Sequence, residues 1–308
     1  MSARIVRRAA SRSDLAIAVG SFDGVHRGHA ALMARTVAEA RARALESAVL
    51  TFEPLPREFF APAQAPARLT SIAERAHLIA RTGVERIVVQ RFDRAFAALT
   101  AEEFATRLAR HHRARWIAVG ENFRYGAGRR GDVEALRRAG RALGFEVEVL
   151  EHVSEGGEAV SSTRVRAALA VGDLALAAGL LGRPYAICGR VGHGATRGRL
   201  MGFPTANVRL GRPKPALQGI YAVKCHGAAT RGLEGVASLG LNPAVRHGGP
   251  ATLEAFLFDF SGDLYGRRLT IEFVQKLRDE AHFASLDELA AQIGRDCDAA
   301  RAIFRAGP

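Results

Sequence analysis

Lysine is almost missing from this chain: only Lys214, Lys224 and Lys276 occur in 308 residues, so arginine carries nearly all the positive charge. Cysteine is as scarce, at Cys188, Cys225 and Cys297. Three cysteines at wide spacing supply neither a disulfide framework nor a C-x-x-C metal pair. They fit small buried side chains in a reducing cytoplasm. No run approaches the roughly 20 apolar residues that a membrane span requires. The basic residues near Met1 are followed by no apolar stretch, so no secretory signal is expected. Internal repeats and low-complexity linkers are also lacking.

Hydrophobic residues make up 48% of the sequence, and its length is comfortable for two cores. Disordered and collagen-like classes are excluded. The formal charge is +13 and evenly spread: 27 basic against 20 acidic side chains in residues 1–182, 17 against 11 in 183–308. Such a field attracts anionic substrates such as nucleotides. No aromatic–basic interleaving accompanies it, so nucleic acid is not expected as the main partner.

Short apolar runs at Leu15–Gly20, Ser47–Phe52, Arg86–Gln90, Trp116–Gly120 and Glu146–Leu150 alternate with amphipathic stretches. The latter predict helices near Ala30–Ala44, Ser71–Arg81, Ala101–His111 and Val133–Leu143. This order predicts an α/β doubly wound, Rossmann-like domain over 1–182, with ligands at the carboxyl ends of the strands. A helical segment near Val165–Leu181 closes it. From Pro184 the texture changes to Tyr185–Gly192, Gly219–His226, Leu233–Leu239, Thr252–Phe260 and Leu269–Lys276, punctuated by glycine and proline. That predicts an antiparallel β-barrel or sandwich over 183–308. Ser285 and Glu288 supply a capping box for a C-terminal helix.

The first strand runs into Ser21-Phe22-Asp23-Gly24-Val25-His26-Arg27-Gly28-His29. Glycines permit a tight turn, a helix start offers N–H groups to anions, and His26 and His29 share one helical face. His-x-x-His alone also fits two surface histidines in a turn. A zinc half-site lacks further ligands at the right spacing. In full, G-x-F-D-G-x-H-x-G-H after a strand resembles the phosphate-binding signature of the H-x-G-H nucleotidyltransferases. More narrowly, it is similar to the adenylyltransferase module of the bacterial bifunctional riboflavin kinase/FAD synthetase family. Three further segments carry that resemblance. Thr51-Phe52-Glu53-Pro54-Leu55-Pro56 looks like the family's F-E-P-x-P. Gly120 to Asp132 is similar to G-x-D-F-x-F-G-x-x-x-x-G-D, with Asn122 in place of Asp and Tyr125 in place of Phe. Ser161-Ser162-Thr163-Arg164-Val165-Arg166 matches S-S-T-x-x-R, and also fits a helix N-cap at Ser162 or Thr163.

The second half holds a glycine-dense stretch from Gly189 to Asn207. Its Gly202-Phe203-Pro204-Thr205-Ala206-Asn207 resembles the riboflavin kinase signature. Thr205 and Asn207 lie two apart, so on an extended segment they project to one side and offer hard oxygen ligands for Mg²⁺. Glu254, on an alternating strand, reads either as a solvated outer-face residue or as a placed base. Asn242-Pro243-Ala244 departs from the family's Pro-Thr, and His193 and His247 read as loop residues.

The resemblance spans the chain from about Leu15 to the C-terminal helix. It implies that riboflavin is phosphorylated to FMN and FMN is adenylylated to FAD, with ATP as co-substrate and Mg²⁺ as cofactor. Implied catalytic residues are Glu254, as the base on the ribityl hydroxyl, and His26 and His29. Implied ATP contacts in the adenylyltransferase are Gly20, Phe22, Asp23, Gly24, His26, His29, Asn122, Ser162, Thr163 and Arg166. Those in the kinase are Gly192, Gly198, Gly202, Pro204, Thr205 and Asn207. The implied partners are small molecules, in the cytoplasm, without membrane or nucleic acid; oligomeric state stays open. Two alternatives also stay open: one degenerate module, given Asn122 and Ala244, or a flavin- or nucleic-acid-binding regulator that kept the fold.

Overall fold

The computed structural model describes residues 3–6, 11–193, 202–212, 214–227, 230–241 and 251–307. The chain forms two compact units, residues 1–66 with 72–161, and residues 67–71 with 162–308.

The first unit runs β1 (Arg4–Val6), β2 (Leu15–Val19), α1 (Arg27–Ala42), β3 (Glu46–Glu53), α2 (Pro56–Phe60), α3 (Ile72–Ala80), β4 (Arg86–Arg91), α4 (Arg94–Ala97), α5 (Ala101–Thr106), β5 (Ala114–Gly120), α6 (Val133–Leu143), β6 (Glu146–Leu150) and the hairpin β7 (Ser154–Glu155) and β8 (Glu158–Ala159). Six strands pair in parallel in the order β1-β4-β3-β2-β5-β6. All five residues of β2 are buried, as a strand covered on both faces requires. Leu15, Ile17 and Val19 pack with Phe104, Leu108 and Leu136 on one face. The smaller Ala16 and Ala18 admit Leu32, Met33 and Ile79 on the other. Sheet order reverses between β2 and β5, so the loop leaving β2 lies at the topological switch point, where open α/β sheets bind ligands.

The doubly wound expectation is met. The three-residue edge strand β1 and the β7–β8 hairpin were not legible. The helix expected to reach His111 is α-helical only to Thr106, and Arg107–His111 forms a π-turn.

The second unit begins with α7 (Ser162–Val171) and α8 (Leu174–Leu181). The expected single helical segment breaks at Gly172, whose φ is +82, and Asp173 caps α8 by accepting from Leu176 N at 2.9 Å. A closed antiparallel barrel follows: β9 (Ala186–Gly192), β10 (Thr205–Val208), β11 (Gly219–Gly227), β12 (Thr230–Leu241), β13 (Ala251–Leu257) and β14 (Arg268–Arg278), in the order β10-β13-β12-β11-β14-β9. Of barrel and sandwich, the chain therefore takes the barrel. The C-terminal helix α9 (Leu286–Ala306) starts at the Ser285 cap, which accepts from Glu288 N. It lays Cys297 and Ala300 against Ile220, Ala222 and Val236 on the outer barrel face. Arg278 on β14 clamps the buried Asp296 of α9 with contacts of 2.6 and 2.9 Å.

Burial raises the Cys225 thiol to about 12 and Cys297 to about 11, so both are inert packing groups, while Cys188 is partly exposed. Residues 67–71 belong to this unit despite their place in the sequence. The Leu69 carbonyl accepts from Tyr185 Oη at 3.0 Å and Arg212 Nη1 at 2.5 Å, and Arg68 N donates to Lys214 O.

Candidate active sites

The loop after β2 is built around His26. Phe22, Gly24 and Val25 have φ of +51, +85 and +43. Glycine adopts this region freely; a β-branched valine does so only under tertiary constraint. The turn buries Phe22, Asp23, Val25 and His26. A Cβ on Gly20 would stand 2.9 Å from the Phe22 ring, so Gly20 makes room for that ring. His26 is the N-cap of α1, its Nδ1 accepting from His29 N at 3.3 Å. A neutral imidazole accepting at Nδ1 carries its proton on Nε2. The two imidazoles stack at 3.5 Å, and Phe22 meets His29 edge-on at 5.1 Å. A Cβ on Gly28 would lie 3.3 Å from the His26 ring, so this position keeps the first turn of α1 close to the imidazole.

Arg75 on α3 is fully buried and was not found from the sequence, where an arginine on an amphipathic helix reads as solvent-facing. Its guanidinium donates to Ser21 O at 2.9 Å, Phe52 O at 2.9 Å and Glu53 Oε2 at 2.8 Å. It thereby ties the turn to the F-E-P segment, and Thr51 Oγ1 adds a bond to Ser21 O at 3.0 Å. Replacing Arg75 by Met strands these acceptors. We expect it to lower stability by about 3 kcal/mol in urea unfolding.

Beside Phe52, a wall of Phe59, Phe60, Phe92 and Phe96 packs largely edge to face at 5.3–5.8 Å. Phe60 is 64% exposed. These rings are scattered from 52 to 96, so no local pattern marks them. After β5, Asn122 Nδ2 lies 3.0 Å from His152 Nε2. Much of that segment is structural. Gly126 would clash with the backbone of Ala101, Gly131 underlies the Tyr125 ring, and Asp132 caps α6. Burial raises the Tyr125 phenol to about 12. α7 begins at Ser162, which puts Ser162 and Thr163 in its first turn rather than at its cap. Arg166 Nε donates to Ala67 O at 2.5 Å.

In the barrel, β13 alternates buried and half-buried residues, and Glu254 stands on the outer face. It is opposite Asn207 of β10 on one side and Ser238 of β12 on the other. Thr205 Oγ1 lies 3.5 Å from Glu254 Oε2. Thr205, Asn207 and Glu254 thus share one surface, as the two-residue spacing predicts. Beside them opens a cleft of about 600 Å³, bounded by Pro204, Thr205, Asn207, Asp263 and Tyr265. Gly192 pairs with Asn207, His193 stacks on Tyr265 at 4.2 Å, and Gly202 takes φ of +84. Gly198, His247 and Asn242-Pro243-Ala244 lie outside the described residues.

The FAD synthetase family matches residues 8–164 and the Riboflavin kinase family residues 181–304. The bifunctional riboflavin kinase/FMN adenylyltransferase of Escherichia coli (strain K12) is 48% identical over 94% of this chain and 92% of its own. This chain belongs to the bifunctional riboflavin kinase/FMN adenylyltransferase family. The Pseudomonas fluorescens member is 46% identical over 92% of this chain and 91% of its own. A solved structure described as a macrolide-efflux protein from Streptococcus pneumoniae superposes with a TM-score of 0.78 at 31% identity, covering 96% of this chain and 98% of its own. In the present family member, no helix among the described residues is long and apolar enough to cross a membrane.

The donor set fits the magnesium ion that the riboflavin kinase family implies. Among the described residues no group of three or more His, Cys, Asp or Glu side chains could hold a metal. A hydroxyl and an amide oxygen beside a carboxylate suit an ion that keeps waters and takes its other ligands from nucleotide phosphates.

Proposed function

We propose residue roles for the two reactions of the family, riboflavin kinase and FAD synthetase, both of which this chain carries. The observation that supports them is that each half gathers its own cluster of motif side chains: the His26/His29 turn at the sheet's switch point, and the Thr205–Asn207–Glu254 surface beside its cleft.

In the kinase, Glu254 takes the proton of the terminal ribityl hydroxyl as its oxygen bonds to the γ-phosphorus of ATP and ADP departs. Thr205 and Asn207 would hold Mg²⁺, which supplies charge neutralisation on the phosphates. Gly192, Gly202 and Pro204 border the nucleotide, and by the family motif Gly198 also meets it. In the adenylyltransferase, a phosphate oxygen of FMN attacks the α-phosphorus of ATP and pyrophosphate leaves. The nucleophile is already ionised, so no strong base is needed. His26 and His29 donate to oxygens on which charge accumulates. Gly20, Phe22, Asp23 and Gly24 hold the turn, and Asn122 joins this pocket. By the family motif, Ser162, Thr163 and Arg166 also meet ATP phosphates. The phenylalanine wall ending in the exposed Phe60 offers an edge-to-face and stacking platform to the isoalloxazine.

We assign adenylyltransferase function to 1–182 and kinase function to 183–308, and place the reactions in the cytoplasm with small molecules as partners. α7 and α8 fall largely between the two family matches and inside the second structural unit. The test is to incubate the protein with riboflavin, excess ATP and Mg²⁺ and separate the flavins over time. FMN should rise first and FAD follow. FMN alone, even when FMN is supplied, would mean an impaired adenylyltransferase; no product from either flavin would overturn the residue roles in both halves.

A further inference from the structure

The kinase surface has an acceptor side, and the strand order says which it is. Thr205 and Asn207 lie on the β10 side of Glu254, and the cleft they help to line runs past Ala255 and Leu257 to Asp263 and Tyr265, towards the C-terminal end of β13. In-line transfer puts the attacking and leaving oxygens on opposite sides of phosphorus. A hydroxyl activated by Glu254 therefore extends away from β10, over β12. Along β12, Ser238 stands opposite Glu254 and Gly240 opposite Thr252.

What overhangs β12 there is Glu280, from the segment after β14. A Cβ on Gly240 would collide with the Glu280 carboxylate, so only glycine lets that carboxylate rest on the strand. Among the described residues, Glu280 makes no hydrogen bond or ion pair; Arg278 and His282 act on it only through their charge. Two residues along a strand is about 6.6 Å and one strand across about 4.8 Å, which separates the rungs of Glu254 and Glu280 by roughly 8 Å. A five-carbon ribityl chain, at about 1.5 Å per C–C bond, covers most of that span.

Resting on the kinase reading above, we propose that Glu280 is a substrate-positioning carboxylate that accepts hydrogen bonds from the inner ribityl hydroxyls of riboflavin. It touches no reacting atom, so it governs binding and leaves proton removal to Glu254.

The test compares wild type with Glu280→Gln and Glu280→Ala in the full chain, using riboflavin and 10-(5-hydroxypentyl)isoalloxazine, which keeps only the terminal hydroxyl. With riboflavin, KM should rise about tenfold or more in Glu280→Ala, the loss of a charged hydrogen bond. Its kcat should stay within threefold and KM for ATP within twofold. With the analogue, wild type and variants should coincide, an outcome that a merely structural role of Glu280 would not give. The retained kcat and KM for ATP in the kinase assay report that the barrel of each variant is folded. Riboflavin KM values within twofold of wild type, or an equal loss with both flavins, would overturn the inference alone. A wild-type chain that phosphorylates neither flavin would overturn it together with the kinase reading.

Discussion

His29→Ala should cut FAD formation from supplied FMN by about 10²- to 10³-fold in kcat while leaving riboflavin phosphorylation unchanged. The size follows from removing one preorganised donor to developing charge. The independence follows from the architecture: His29 stands in the first turn of α1 in the parallel-sheet unit, whereas Thr205, Asn207 and Glu254 all stand on the barrel. His29 also stacks on His26 and meets Phe22 edge-on, so its loss loosens the capping imidazole. His29→Gln, which restores a donor but not the stacked ring, should recover part of the rate. Parallel assays of the two half-reactions on one preparation decide the matter. Loss of both would contradict separate sites, and an unchanged FAD rate would remove His29 from the chemistry.

Glu254→Gln should do the converse, lowering FMN formation by about 10²- to 10⁴-fold, the range of a positioned general base. Adenylylation of supplied FMN should persist. Glutamine keeps the shape and the contact with Thr205 Oγ1, which lies 3.5 Å from the carboxylate, so the fold is spared. The loss should fall on kcat, because Glu254 contributes once the hydroxyl begins to give up its proton. Steady-state rates at saturating ATP and riboflavin read this out. A kinase rate within threefold of wild type would leave Glu254 as an ordinary outer-face residue.

The sequence carried the architecture where local pattern reflects burial. β2 is five apolar residues in a row because helices cover both its faces, and β13 alternates because one face looks into the barrel. The turn at Ser21–His29 was legible through its glycines, which permit positive φ at Gly24 and close approach at Gly20 and Gly28, whereas the positive φ of Phe22 and Val25 is imposed by packing and leaves no local mark. Glu254 could not be settled locally: an outer-face carboxylate looks the same whether water or Thr205 stands beside it. β10 hid within a glycine-rich stretch because four residues give too short an alternation. Arg75, the phenylalanine wall and Glu280 were missed for one physical reason. Each is defined by neighbours distant in sequence, namely Ser21 and Phe52 for Arg75, rings spread over 52–96, and Gly240 for Glu280.

The short stretch Ala67–Ser71 bears on heredity as well as packing. Leu69 is fully buried with its carbonyl held by Tyr185 and Arg212, and Arg212 lies five residues beyond Asn207. A gene broken anywhere between the codons for 72 and 161 would hand the barrel's descendants a Tyr185 hydroxyl and an Arg212 guanidinium without that acceptor. A barrel expressed without residues 67–71 therefore loses an acceptor encoded more than a hundred codons before Tyr185, and a design that separates the two activities has to carry that segment along with the barrel.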